Sequence, residues 1–306
     1  MKTLMTTDGS EEALTALRTA CRLLRKSRNE VEVLCVAPEL FLPKGKKAAK
    51  KEQEDRIRER YRERITVETG SILDQARKIL REEGIDAKVF SEIGSPAGAI
   101  VRLAEDYDVT VIGAEGRYQQ SRVGLGPVAS RVIEHARGTV LVGRELASAN
   151  GLRVLVALDG STASNHALHI MAAYFNVDEA EITLLHVKET PWIHLGLDRE
   201  WFDYPGDVLD RANPEVRLEE ELQRESERIL EDAHAQLAKY NYSLTTVIGE
   251  GSPATEILGE ADSGGYDLII LGATGATDAK HKMLGSVSAK VAWQTTCSVA
   301  VVKYVE

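Results

Sequence analysis

The feature that most constrains this chain is that it repeats itself at the scale of a domain. Asp8-Gly9-Ser10 returns as Asp159-Gly160-Ser161, each closing an apolar run. Gly94-Ser95-Pro96-Ala97 returns as Gly251-Ser252-Pro253-Ala254, and the segment 108–116 (DVTVIGAEG) returns as 267–275 (DLIILGATG). The three pairs lie at offsets of 151, 157 and 159, always in the same order, and the small drift is what loop insertions produce. A period of this length is a whole domain rather than a solenoid repeat. The expected organisation is therefore a tandem duplication, with domains at residues 1–147 and 151–306 joined by the short polar stretch Leu146–Gly151.

Each half alternates short Val/Ile/Leu-rich runs with segments of helical spacing. The expected strands are Lys2–Thr6, Val31–Ala37, Asp86–Glu92, Val109–Gly113 and Thr139–Val142, then Arg153–Leu158, Glu181–Val187, Ser243–Ile248, Leu268–Gly272 and Val299–Tyr304. Runs that are continuous rather than alternating imply strands buried on both faces of a parallel sheet. Alternating β and α implies the α/β class, with doubly wound sheets and right-handed crossovers. Ligands of such sheets sit beyond the carboxyl ends of the strands, where both DGS tripeptides and both G-x-x-G pairs fall.

Net charge is −10, which argues against general nucleic-acid or anionic-membrane binding. No apolar run is long enough to span a bilayer, and the N-terminus reaches Asp8 too soon to build a secretory apolar region. Cys21, Cys35 and Cys297 have no paired spacing and read as buried thiols in a reducing compartment, so a cytoplasmic location is expected. The charged run Lys44–Arg64 reads as a solvated helix extension. Its interleaved acids and near-absence of aromatics disfavour a nucleic-acid arm. The aromatic segment 190–214, with Trp192, Trp201, Phe202 and Tyr204, reads as a loop or lid covering a core or interface.

The second half carries a constellation with chemistry. Gly272 and Gly275 are followed by Gly285-Ser286, a G-x2-G-x9-G-S pattern. The first glycine ends a buried strand, and Gly285-Ser286-Val287-Ser288 opens an apolar-periodic segment. Glycine allows close backbone approach, and helix N-terminal amides attract an anion. Ser286 and Ser288 can add hydroxyl donors, and Lys280, His281 and Lys282 read equally as charges that offset phosphate or as exposed loop charges. In the first half Gly113, Gly116 and Gly126 keep the spacing, but Pro127 and Ala129 replace the two serines. Proline has neither N–H nor hydroxyl, so three potential phosphate donors are missing. Asp8 is kept, Gly124 adds flexibility, and Arg117, Arg122 and Arg131 offer side-chain contacts instead. Weak or lost nucleotide binding is expected there.

On V-x-x-D-G-S, the L-L-H-V ending of the seventh predicted strand (Leu184 to Val187), G-S-P and G-x2-G-x9-G-S, the chain resembles tandem members of the universal stress protein family. The resemblance implies a five-stranded sheet of order 3-2-1-4-5 in each half. It also implies adenine-nucleotide binding in some members (ATP, or AMP or ADP in its place, with Mg²⁺). It implies domain pairing through fifth strands, which would make one chain an internal pseudo-dimer, with or without homodimers. By the same resemblance, Asp159 meets the ribose or metal and Val187 meets adenine through its main chain, with Ala157 and Leu158 leading into the site. Gly272, Ala273 and Gly275 cradle ribose and phosphates, and Gly285, Ser286, Val287 and Ser288 hold the phosphates.

The functional expectation is a stress-response signalling module whose second domain binds the nucleotide and whose occupancy is felt by an unknown protein partner. Two alternatives stay open: a slow ATPase or an enzyme that phosphorylates itself on Ser286 or Ser288, and a nucleotide-free dimerisation module. The sequence has no G-x4-G-K-[ST], H-E-x-x-H or G-x-S-x-G, and nothing nominates a general base. Any hydrolysis is expected to be slow.

Overall fold

The computed structural model describes residues 1–27, 29–41, 48–117, 124–147, 151–189, 214–275 and 284–304. Arg122, Lys280, His281, Lys282 and the aromatic segment 190–213 lie outside the described residues. The chain forms two compact units, Met1–Glu145 and Leu146–Glu306.

The first unit runs β1 (Lys2–Thr6), α1 (Glu11–Leu23), β2 (Glu30–Pro38), α2 (Ala48–Glu82), β3 (Lys88–Gly94), α3 (Pro96–Leu103), β4 (Val109–Gly113), α4 (Pro127–His135) and β5 (Thr139–Gly143). The second runs β6 (Arg153–Leu158), α5 (Thr162–Tyr174), β7 (Glu181–Lys188), α6 (Pro214–Leu237), β8 (Ser243–Glu250), α7 (Pro253–Gly264), β9 (Leu268–Gly272), α8 (Ser286–Gln294) and β10 (Ser298–Val302). Within each unit the strands are parallel, in the order β3-β2-β1-β4-β5 and β8-β7-β6-β9-β10. Both are the 3-2-1-4-5 order of a doubly wound sheet.

The DGS tripeptide is a strand-to-helix turn whose geometry follows from its three residues. The Asp8 carboxylate accepts from the Ser10 amide at 2.9 Å, and Asp159 accepts from Ser161 at 3.0 Å. Gly9 and Gly160 occupy the left-handed region at φ +77° and +75°, which a side chain disfavours. Each serine then caps its helix: Ser10 accepts from Ala13 N, and Ser161 accepts from Ser164 N at 3.1 Å. Behind the turns, α1 presses Leu14, Leu17 and Ala20 onto the sheet, and α5 does the same with Ala167, Leu168 and Met171, all at most 2% exposed.

Burial on both faces holds for the middle strands but not for β3 and β8, whose residues are half-buried or exposed. Strand β3 also begins at Lys88 rather than Asp86. Gly84 at φ +75° lets Ile85 N donate to Leu80 O at 2.8 Å, closing α2 and spending the next residues on the exit.

Candidate functional site

In the second unit the carboxyl ends of β6 and β9 bring the two sequence motifs together. Gly272 has to be small: a Cβ there would stand 2.9 Å from the Ala163 carbonyl carbon and 3.0 Å from Ser164 N, in the first turn of α5. Beyond it, Gly285 N donates to Ala273 O at 2.7 Å. This bond draws together the two ends of the nine-residue spacer, so the frame of Gly272, Ala273, Gly275 and Gly285 is fixed within the described residues. The Asp159 carboxylate closes the other side. Its Oδ2 lies 2.9 Å from where a Cβ on Gly275 would stand.

Helix α8 starts at this frame with Gly285 as its N-cap, and no side chain caps it. The amides of its first turn belong to Ser286, Val287 and Ser288 and point ahead of the helix, where an anion is favoured. The two serines differ. Ser286 is exposed, whereas Ser288 is 4% exposed and its hydroxyl donates to Gly272 O at 2.7 Å. The Ser288 proton therefore ties the helix to the end of β9 and is not offered to a ligand. Only Ser286 presents its hydroxyl outward.

Ala157 and Leu158 are buried at the end of β6. His186 Nδ1 lies 2.7 Å from Leu158 O, bonding the ends of β6 and β7 together, and Val187 beside it is half-buried in register with Gly249. Among the described residues, no group of three His, Cys, Asp or Glu could hold a metal ion by itself. The frame suits Mg²⁺ only as that ion is ordinarily held with phosphates, through one or two carboxylates plus phosphate oxygens and water. The carboxylate that borders this frame is Asp159.

The first unit builds the same frame with different chemistry. Gly126 N donates to Ala114 O at 2.8 Å, and a Cβ on Gly113 would stand 3.0 Å from Ala13 N. Strand register puts Cys35 where the second unit has His186, and Val36 where it has Val187. Around this frame lies a cleft of about 760 Å³. Its floor is the end of the sheet, and one wall is α2, through Tyr61, Ile65, Glu68 and Ile72. The Tyr61 hydroxyl donates to Pro38 O at 2.5 Å, fixing the helix against the end of β2.

Electrostatics in this cleft is largely internal. Asp8 accepts from Ser10 N, from Ser10 Oγ at 2.6 Å and from Arg117 N at 2.9 Å. Arg117 in turn donates from Nη1 to Glu68 Oε1 at 2.6 Å. Burial pushes the Cys35 thiol up to about 11, with the Asp8 carboxylate adding to the shift. Arg131 is exposed on α4 and does not line the cleft.

Of the charged run, residues 48–64 belong to α2 and residues 53–64 are mostly exposed, yet the end of the run also walls a cleft. Tyr61, Ile65, Glu68, Thr69 and Ile72 carry the three- and four-residue spacing of one helix face. A single tyrosine in a charged run was the available signal.

The model of the universal stress protein family matches residues 1–144 and again 152–303. A universal stress protein of Bacillus subtilis, YxiE, is 34% identical over 151 residues, covering 49% of this chain and 98% of that protein. A universal stress protein of Mycolicibacterium smegmatis is 26% identical over 247 residues, covering 76% of this chain and 75% of its own length. The crystal structure of a universal stress protein from Archaeoglobus fulgidus superposes with a TM-score of 0.66 at 21% identity, covering 99% of this chain and 98% of that one, and so shares the fold.

Proposed function

The chain belongs to the universal stress protein family as a tandem member, and we propose that its second unit binds an adenine nucleotide, ATP foremost, with Mg²⁺. The observation that carries this is the Gly285 N to Ala273 O bond. It holds a side-chain-free frame against the uncapped first turn of α8 and opposite a carboxylate. The phosphates would lie on the amides of Ser286, Val287 and Ser288 and on the Ser286 hydroxyl. Each such charge-assisted bond contributes about 1.5–3 kcal/mol. A carboxylate repels phosphate, so Asp159 belongs on sugar hydroxyls or on Mg²⁺, and the main chain near Val187 would meet the base.

No described residue is poised as a base over the phosphates, so occupancy rather than turnover would carry the signal. A nucleotide that favours one arrangement of the loops shifts the surface a protein partner sees. No described helix is long and apolar enough to cross a membrane. Three buried free cysteines suit the reducing cytoplasm in which we place this function.

The test is to denature the purified protein, separate any released nucleotide by chromatography and quantify it per chain. The expected result is about one adenine nucleotide per chain, lost in G285V. Absence of nucleotide, together with no binding of added Mg·ATP in calorimetry, would overturn the proposal.

A further inference from the structure

The first unit's cleft differs from the second unit's frame in ways that point to a different ligand class. Two donors are lost at the helix start. Pro127 has no amide, and the outward hydroxyl of Ser286 has no counterpart. The third apparent loss, Ala129 for Ser288, removes nothing a ligand would use, because the Ser288 hydroxyl serves Gly272.

Charge follows the same direction. The charged residues lining the cleft are Asp8, Glu68 and Glu115 against Arg64 and Arg117. Arg117, nearest the loop, already spends a guanidinium N–H on Glu68 at 2.6 Å. Among the described residues the cleft has no surplus positive charge with which to offset a triphosphate. Most of the remaining lining is apolar, through Val36, Ile65, Ile72, Ile100 and Val128, with the hydroxyls of Thr6, Thr7, Tyr61 and Thr69 among it. At about 760 Å³ it has the size and mix of a small-molecule site. The Asp8 carboxylate at its rim is an acceptor and calls for hydroxyl or amino donors on the ligand.

We propose that the first unit is a second binding site, selective for an uncharged nucleoside-type ligand: a planar heterocycle with sugar-like hydroxyls and no phosphate. In this scheme α2 supplies specificity. Tyr61 anchors the wall, Ile65 covers the ring, and Glu68 offsets the charge of Arg117 and occupies one of its N–H donors. The two units would then report on two related ligands, one phosphorylated and one not.

The test uses the full chain, with adenosine and AMP as probes in calorimetry. In G285V, which silences the second unit, adenosine should still bind at one site per chain. AMP should bind there at least about tenfold more weakly, because its phosphate would meet a lining of net negative charge with no bonds to offset the repulsion. I65W, a change at a half-buried wall position, should abolish that site. E68Q should narrow the gap between AMP and adenosine by freeing Arg117.

Should G285V not fold, the otherwise unaltered chain serves: I65W must remove one adenosine site per chain and leave the Mg·ATP isotherm unchanged. Three results would overturn the inference: no adenosine binding at millimolar concentration, adenosine binding indifferent to I65W, or AMP binding at the first unit as tightly as adenosine. Mg·ATP binding to the second unit is read separately in I65W, so failure of one site is not mistaken for failure of the other.

Discussion

Glu68 accepts a hydrogen bond from Arg117 Nη1 at 2.6 Å, which brings the wall of a long charged helix into contact with the loop after β4. The pair is short but wet, with side chains 42% and 33% exposed. Exposed pairs of this kind contribute about 0–1 kcal/mol. E68Q should therefore leave the urea midpoint of the first unit nearly unchanged while altering ligand preference. A large loss of stability would mean that the pair braces the fold rather than tuning the cleft.

Ser286 and Ser288 are two residues apart and should separate cleanly. S288A removes the 2.7 Å bond to Gly272 O and leaves a buried acceptor short of a partner, at a cost of about 1–3 kcal/mol in denaturant unfolding. Nucleotide affinity should follow only to the extent that the frame loosens. S286A should leave stability within about 0.5 kcal/mol, as at an exposed position, yet weaken Mg·ATP binding about tenfold or more. The reverse pattern would exchange the roles given to the two hydroxyls.

How far the sequence could be read depended on whether a feature was local. The DGS turn is decided by three adjacent residues and the strands by their own apolar runs, so β1, β6, β4 and β9 fall where those runs place them. The relation between Ser288 and Gly272 spans a loop and was not legible. Spacing gives both serines equal standing, and only the packed structure shows one facing inward. The same holds for Tyr61 and Glu68. In sequence they belong to a solvated run, and what gives them a role is the end of β2 and the loop after β4, distant along the chain. The partial exposure of β3 and β8 was likewise hidden, because apolar content alone does not give a strand's position in the sheet order.

Gly275 tests the proposed role of Asp159. A methyl group there would stand 2.9 Å from Asp159 Oδ2, while the residue's own backbone is not in the left-handed region. G275A should cost little stability but push the carboxylate from its place, weakening Mg·ATP binding about tenfold in calorimetry, on the scale of one lost charge-assisted bond. Unchanged affinity would show that Asp159 serves the turn alone.

Gly9 and Gly84 separate backbone strain from crowding within one unit. Both are left-handed, at φ +77° and +75°. A Cβ on Gly84 meets nothing within 4 Å, whereas one on Gly9 would stand 2.7 Å from Arg117 Nη2 and 3.0 Å from Ile72. G84A should cost about 1–2 kcal/mol, the left-handed penalty alone. G9A should cost more and also weaken ligand binding in the first unit, since Ile72 and Arg117 must give way. Equal losses in urea unfolding would mean that the wall of the cleft yields freely.

The buried thiols of the first unit make a prediction about pH. Burial holds Cys35 up at about 11 and Cys21 up at about 12, against an ordinary value of 9.0, with Glu83 adding to the second. A raised pKa means that the folded state keeps the proton longer than the unfolded chain does. The stabilisation is fully present below pH 9, where both states are protonated, and is lost as pH rises through the folded value. Between pH 9 and 11 the unfolded chain ionises these thiols while the folded unit does not, so the first unit should weaken. Lysines and tyrosines also titrate in this range, so the quantity to measure is the difference in urea midpoint between the unaltered chain and C35A as pH is raised. The destabilisation with pH should be shallower in C35A and shallower still when Cys21 is also replaced by alanine. Parallel curves for all three proteins would mean that neither thiol is held protonated by the fold.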